Sequence, residues 1–234
     1  MKPTVLVISC EHAGCGVPHD YVHLFEHDKN VLTTHRAWDK GAGEIAAHLS
    51  KVFNCDSTKT TFTRLLIDCN RSLGHKDCFS EYSKSLAEDD RQRLIDHYYT
   101  PYREETEAVI RKHINNGNQV LHLSIHSFTP ELNGISRNAA IGLLYDPARH
   151  GEQEVARLWH GLLLAQKPAY RVRKNYPYRG NADGFTSTLR KKYHEEDYLG
   201  LEVECNQALM EDAESFSQLQ HVLAHTLDEL LQLL

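Results

Sequence analysis

Val120-Leu121-His122-Leu123-Ser124-Ile125, running straight into His126-Ser127, is the stretch on which the fold turns. Three other apolar runs end in the same manner. Val5-Leu6-Val7-Ile8-Ser9 leads into Cys10-Glu11-His12, and Leu65-Leu66-Ile67 into Asp68-Cys69-Asn70-Arg71. Leu199-Gly200-Leu201-Glu202-Val203 leads into Glu204. Short apolar runs bounded by polar residues read as buried parallel strands. In open α/β sheets the ligand site lies beyond the carboxyl ends of such strands. One set of strand ends therefore collects two histidines, an arginine, an asparagine and a glutamate.

Working outward, strands alternate with helical patterns. Strands are expected at 4–9, 61–67, 120–125, 141–145 and 198–205. Residues 41–53 read as a helix with Ile45, Leu49, Val52 and Phe53 on one face. Residues 87–116 form one long helix or two meeting near Pro101, ended by Asn116-Gly117-Asn118. Residues 151–166 are helical. The tail from Ser215 to Leu234 places Phe216, Leu219, Val222, Leu223, Leu227, Leu230 and Leu231 on one face. The expectation is an α/β single domain over 1–234, a three-layer sandwich with a mainly parallel or mixed central sheet flanked by helices.

Composition narrows the function. A chain of 234 residues with 41% hydrophobic content can bury a large core. Its net charge of −6 and lack of a long basic stretch argue against nucleic acid as a partner. Arg171-Val172-Arg173-Lys174 and Arg190-Lys191-Lys192 read as solvated faces or loops. No apolar stretch reaches the ~20 residues of a membrane span, and residues 1–10 read as a first strand, not an export signal. The six cysteines lack close paired spacing, so reduced thiols in the cytoplasm are expected. Oligomeric state is left open.

His12 and His126 are candidate metal ligands, because neutral imidazole is the commonest side-chain ligand and catalytic zinc keeps one position open beside three protein ligands. The bland alternative is a pair of hydrogen-bonded structural histidines. Glu204 is a candidate general base, since a carboxylate at the end of an apolar strand needs a partner or a task. Glu202 shares its sheet face and is the weaker candidate. Arg64, Asn70 and Arg71 can hold an acidic substrate group through a guanidinium fork; the alternative is an ion pair of Arg71 with Asp68. A nucleophilic Cys10 or Cys69 is a further reading.

Several segments together resemble the N-formylglutamate amidohydrolase family. They are Cys10-Glu11-His12-Ala13-Gly14 with Val17-Pro18, His35 to Ala42, Arg64 to Arg71, and Ser124 to Pro130. Ile141 to Asp146, Asn175 to Gly180 and Leu201 to Gln207 complete the set, in order, over most of residues 4–210. The family is similar in fold to zinc carboxypeptidases and aspartoacylases. The resemblance implies a hydrolase that cleaves the amide of an N-acyl amino acid with a free carboxylate. It implies Zn2+, or another divalent metal, on His12 and His126, and Glu204 as general base. Arg64 is implied to polarise the scissile carbonyl, with Asn70 and Arg71 on the substrate acid. Ser127, Arg137 and Tyr178 are implied as pocket residues.

One position departs from the pattern. Carboxypeptidase relatives carry a glutamate ligand three residues after the first histidine, where this chain has Cys15. Asp39 is the expected replacement, and Glu11 the alternative, although adjacent strand residues point to opposite faces. Asp39 can also be read as a helix N-cap. The departure leaves a second functional reading, a non-catalytic member of the fold that binds metal or acid.

Overall fold

The structure, a computed structural model, describes residues 2–234. The first half of the chain contributes β1 (Thr4–Cys10), α1 (Ala42–Phe53), β2 (Asp56–Lys59), α2 (Glu88–Leu94) and α3 (Thr100–Asn115). Then come β3 (Gln119–Phe128), the small hairpin β4 (Glu131–Leu132) and β5 (Ile135–Ser136), and β6 (Ile141–Leu144). The chain ends with α4 (His150–Gln166), β7 (Val172–Lys174), α5 (Phe185–Lys192), β8 (Tyr198–Asn206) and α6 (Ala213–Leu231).

Six strands form one sheet in the order β2-β1-β3-β8-β6-β7. All neighbours are parallel except β6, which runs antiparallel to β8. Alternation along the strands divides the core in two. Leu6, Ile8, Leu121, Leu123, Ile125, Leu201 and Val203 face α1, α4 and α6. Val7, Val120 and Tyr198 face the other way, toward α2, α3 and α5. Helices thus cover both faces, giving the three layers expected. On the second face His122, Ser124 and His126 follow one another along β3, and Gly200, Glu202 and Glu204 along β8, because strand side chains alternate with period two.

Several expectations are corrected. Residues 61–67 are not a strand: only Phe62 makes an isolated bridge, to Gly16, and turns follow. The strand beside β1 is Asp56–Lys59, which no apolar run announces because only Thr58 of it is buried. The Arg171–Lys174 stretch supplies the edge strand β7, with Arg173 and Lys174 outward, as charges at an exposed edge should be. Arg190 is buried on Glu152, not solvated. Val52 is exposed, although Ile45 and Leu49 of its helix are fully buried. Between α2 and α3 the chain does not break: Ile95–Tyr99 forms a π-helical turn, and Pro101 sits in the first turn of α3. Among the described residues no helix is long and apolar enough to cross a membrane.

Candidate active site

A cavity of about 530 Å³ opens over the carboxyl ends of β1, β3 and β8, on the α3/α5 side. His12, Asp39, Arg64, Asn70, Arg71, His126, Ser127, Arg137, Tyr178 and Glu204 all line it. Of the candidates named from the sequence, Glu11 and the two cysteines Cys10 and Cys69 do not.

The register pairs His126 of β3 directly with Glu204 of β8. His12 lies just past the end of β1 and comes to the same place, its ring centroid 4.9 Å from that of His126. Asp39 lies before α1, where its amide donates to the His12 carbonyl at 2.9 Å and locks the loop to the strand end. It is not the helix cap: Gly41 holds that position, in the left-handed conformation at φ 79°. Asp39 Oδ2 lies 2.8 Å from His126 Nδ1 and 3.3 Å from His12 Nδ1. One ligand atom from each of these three buried residues falls within 4.8 Å of the others. Two imidazole nitrogens and one carboxylate oxygen form a donor set suited to zinc.

The other ring nitrogens are held from behind. His12 Nε2 bonds Asp68 Oδ1 at 2.7 Å. His126 Nε2 lies 2.9 Å from Ser124 Oγ and 3.2 Å from Glu11 Oε2. Glu11 is buried beneath the cavity, where it also accepts from Ser124 Oγ and, at 2.8 Å, from Tyr102 Oη. Because β1 ends at Cys10, Glu11 and His12 both reach this region despite being adjacent. Cys15 packs in the second core and does not line the cavity.

Electrostatics fit a cation. Burial alone would raise Asp39 and Glu11, but the flanking histidines outweigh it and hold both well below the ordinary carboxylate range. Asp68 is likewise held down against burial, chiefly by Arg64. Burial would lower His126, yet its bonds to Asp39 and Glu11 hold it well above the usual imidazole value. Three ionised carboxylates surrounding two imidazoles stabilise positive charge at their centre. Glu204 differs. It is 4% exposed, Oε2 has no hydrogen-bond partner, and burial pushes its pKa up to about 8. An orphaned buried carboxylate oxygen beside a cation-ready cluster is the expected geometry of a group that acts on a bound molecule.

The acid-recognition candidates also converge. Arg64 grips Asp68 through Nε at 3.1 Å and Nη2 at 2.6 Å, with Nη1 3.6 Å from Asp39. Asp68 therefore pairs with Arg64 and not Arg71. Arg71 Nη1 donates to the Asp183 carbonyl at 2.6 Å, and no carboxylate pairs with it among the described residues. Asn70 Oδ1 accepts from Phe185 N at 2.7 Å. Across the cavity Arg137 donates to Tyr178 Oη at 3.1 Å and stacks on its ring. Ser127 Oγ is turned to the Lys40 carbonyl at 2.7 Å, which makes it a structural bridge. Gly142 of β6 leaves room for this wall, since a Cβ there would collide with the Tyr176 carbonyl and press on Glu204.

Sequence reasoning named Asp68 only as an ion-pair partner of Arg71, and missed Tyr99, Tyr102 and Arg103. The four-residue interval from Arg64 to Asp68 was a signal for the actual pairing; the other three residues lie on helical turns with no local mark. Cys10 and Cys69 are buried off the cavity, and burial holds both thiols well above their usual range, the reverse of what a thiolate nucleophile needs.

Solved structures share this architecture. A gene product of Agrobacterium tumefaciens superposes with a TM-score of 0.83 at 27% identity, covering 99% of this chain and 91% of that one. An N-formylglutamate amidohydrolase from Ralstonia eutropha superposes at 0.71 with 20% identity, covering 99% and 92%. No curated protein sequence matches. The N-formylglutamate amidohydrolase family matches residues 4–211, and the chain belongs to that family.

Proposed function

We propose that the protein is a metal-dependent amidohydrolase that cleaves an N-acyl amino acid carrying a free carboxylate, N-formylglutamate being the first substrate to try. The observation that carries the reading is Glu204: a buried carboxylate with a free oxygen, in register with His126 and beside the His12–Asp39–His126 cluster. Those three residues would hold a divalent cation, zinc by the chemistry of the donor set. When bound, zinc supplies Lewis acidity toward water and the scissile carbonyl.

The chain's own groups do the rest. Glu204 Oε2 takes a proton from water as the water oxygen bonds to the carbonyl carbon, then delivers that proton to the nitrogen as the amide C–N bond breaks, releasing the carboxylic acid and the free amine. A cation held by the cluster would draw the Glu204 pKa down from about 8 and so favour its ionised, basic form at neutral pH. Arg64, already oriented by Asp68, presents Nη1 to the oxygen that gains charge. Arg71 and Asn70 anchor one carboxylate of the substrate, and Arg137 with Tyr178 faces them as the site for a second.

The test is Glu204→Gln. Turnover of N-formylglutamate by the zinc-loaded protein should fall on the order of 10²- to 10⁴-fold, with zinc stoichiometry and thermal midpoint retained. An unchanged rate would remove Glu204 from the reaction. Wild-type protein that takes up no zinc, and gains no activity from added zinc, would favour the non-catalytic reading.

A further inference from the structure

Arg71 is seated by residues from another layer. Its carbonyl accepts from Tyr99 Oη at 2.7 Å and from Arg103 Nη1 at 3.2 Å. The same Nη1 donates to the Cys69 carbonyl at 2.9 Å. Arg103 is 9% exposed, and its guanidinium lies 4.3 Å from the Phe185 ring centroid and 5.0 Å from that of Tyr99. Phe185 in turn gives its amide to Asn70, and Ser72 gives its amide to Asp183 at 2.9 Å. Residues 69–72 and 183–185 thus clasp each other, and both rest on Tyr99 and Arg103.

The helical path explains how two residues reach this place. Tyr99 is the last residue of the π-helical turn, and Arg103 follows four residues later on the same face. A π-turn inserts a wider loop of chain into the helix and re-aims the side chains around it; such turns concentrate at functional sites. Here the re-aimed pair meets two main-chain carbonyls that flank Asn70.

We infer that Tyr99 and Arg103 are positioning residues for substrate-acid recognition: the π-turn holds the Arg71 main chain so that its guanidinium is presented to the cavity. The inference rests on Arg71 being the acid anchor. Arg103 serves two carbonyls and two ring faces with one planar group, which a lysine ammonium cannot reproduce.

Steady-state kinetics of the zinc-loaded full chain on N-formyl-L-glutamate decide the matter, with four variants compared. Arg71→Ala measures the anchor itself. Tyr99→Phe removes only the hydroxyl, and loss of one hydrogen bond of ordinary net strength should raise KM about 3- to 10-fold, with the change falling on KM and not on kcat. Arg103→Lys should do the same. Tyr98→Phe, whose ring packs on Phe62 and Tyr21 instead, should leave KM where it was. A rise in KM for Arg71→Ala with none for Tyr99→Phe or Arg103→Lys overturns the inference, including where those variants merely melt earlier. If Arg71→Ala itself leaves KM unmoved, the anchor reading falls and the inference with it.

Discussion

At the scale of single residues, the site is governed by which nitrogen of each histidine is occupied. Asp68 takes His12 Nε2, and Ser124 with Glu11 takes His126 Nε2, so both Nδ1 atoms face Asp39. A carboxylate behind a ligating imidazole fixes its tautomer and ring orientation and raises its basicity. Asp68 in turn is charged and immobile because Arg64 grips its other oxygen. This gives Asp68 a consequence separable from that of the ligands in front of it. Asp68→Asn keeps the shape but withdraws the charge, and zinc affinity should fall about 10- to 100-fold. Competition with a chromophoric chelator measures this directly, without reference to turnover. Affinity equal to that of the wild type would mean that Asp68 does no more than fill space.

At the scale of elements, what was legible depended on whether a segment's role left a local pattern. The central strands β1, β3 and β8 are buried on both faces, so they announce themselves as apolar runs, and their ends correctly collect His12, His126 and Glu204. Edge strands β2 and β7 are mostly exposed, and nothing in Asp56–Lys59 or Val172–Lys174 separates them from loops. Leu65-Leu66-Ile67 misleads for the opposite reason: all three are buried, but as a turn packed into the second core. Asp39 required a contact between a loop and the end of β1 that no spacing encodes. The basic run at 190–192 hides the buried tie between α4, α5 and β8. There Arg190 bonds Glu152 through Nε at 2.9 Å and the Gly200 carbonyl at 2.7 Å, while Glu152 accepts from Gly200 N at 3.1 Å. Removing one partner of such a pair leaves the other charge buried alone. Glu152→Ala should therefore destabilise the fold by about 3–5 kcal/mol, read from the midpoint of urea denaturation. A loss below about 1 kcal/mol, the range of exposed pairs, would show that water reaches Arg190.

At the scale of the whole molecule, the sheet carries a buried titratable group that has no part in the proposed chemistry. His122, fully buried at the centre of β3, joins three strands: Nε2 meets Ser9 Oγ of β1 and Nδ1 meets Tyr198 Oη of β8, each at 2.8 Å. Burial, with Arg190 adding to it, holds the imidazole neutral down to about 4, against an ordinary value of 6.5. The sign follows from proton counting. Between those values the unfolded chain binds a proton that the folded one refuses, so stability rises with pH there. The contribution of His122 is complete above 6.5, shrinks as pH falls, and is gone below about 4, a loss of about 3 kcal/mol across the window. His126 runs the other way: its raised value contributes stability below 6.5 that is lost as pH climbs through its folded value. The net profile mixes both, so the informative quantity is the difference between wild type and His122→Gln. Urea midpoints at pH 7 and pH 4.5 should show the variant weaker at neutral pH, because a tight cross-strand contact is changed. They should also show it losing less on acidification, because the site no longer resists a proton. Parallel losses in the two proteins would mean that His122 is not the group through which acid loosens the sheet.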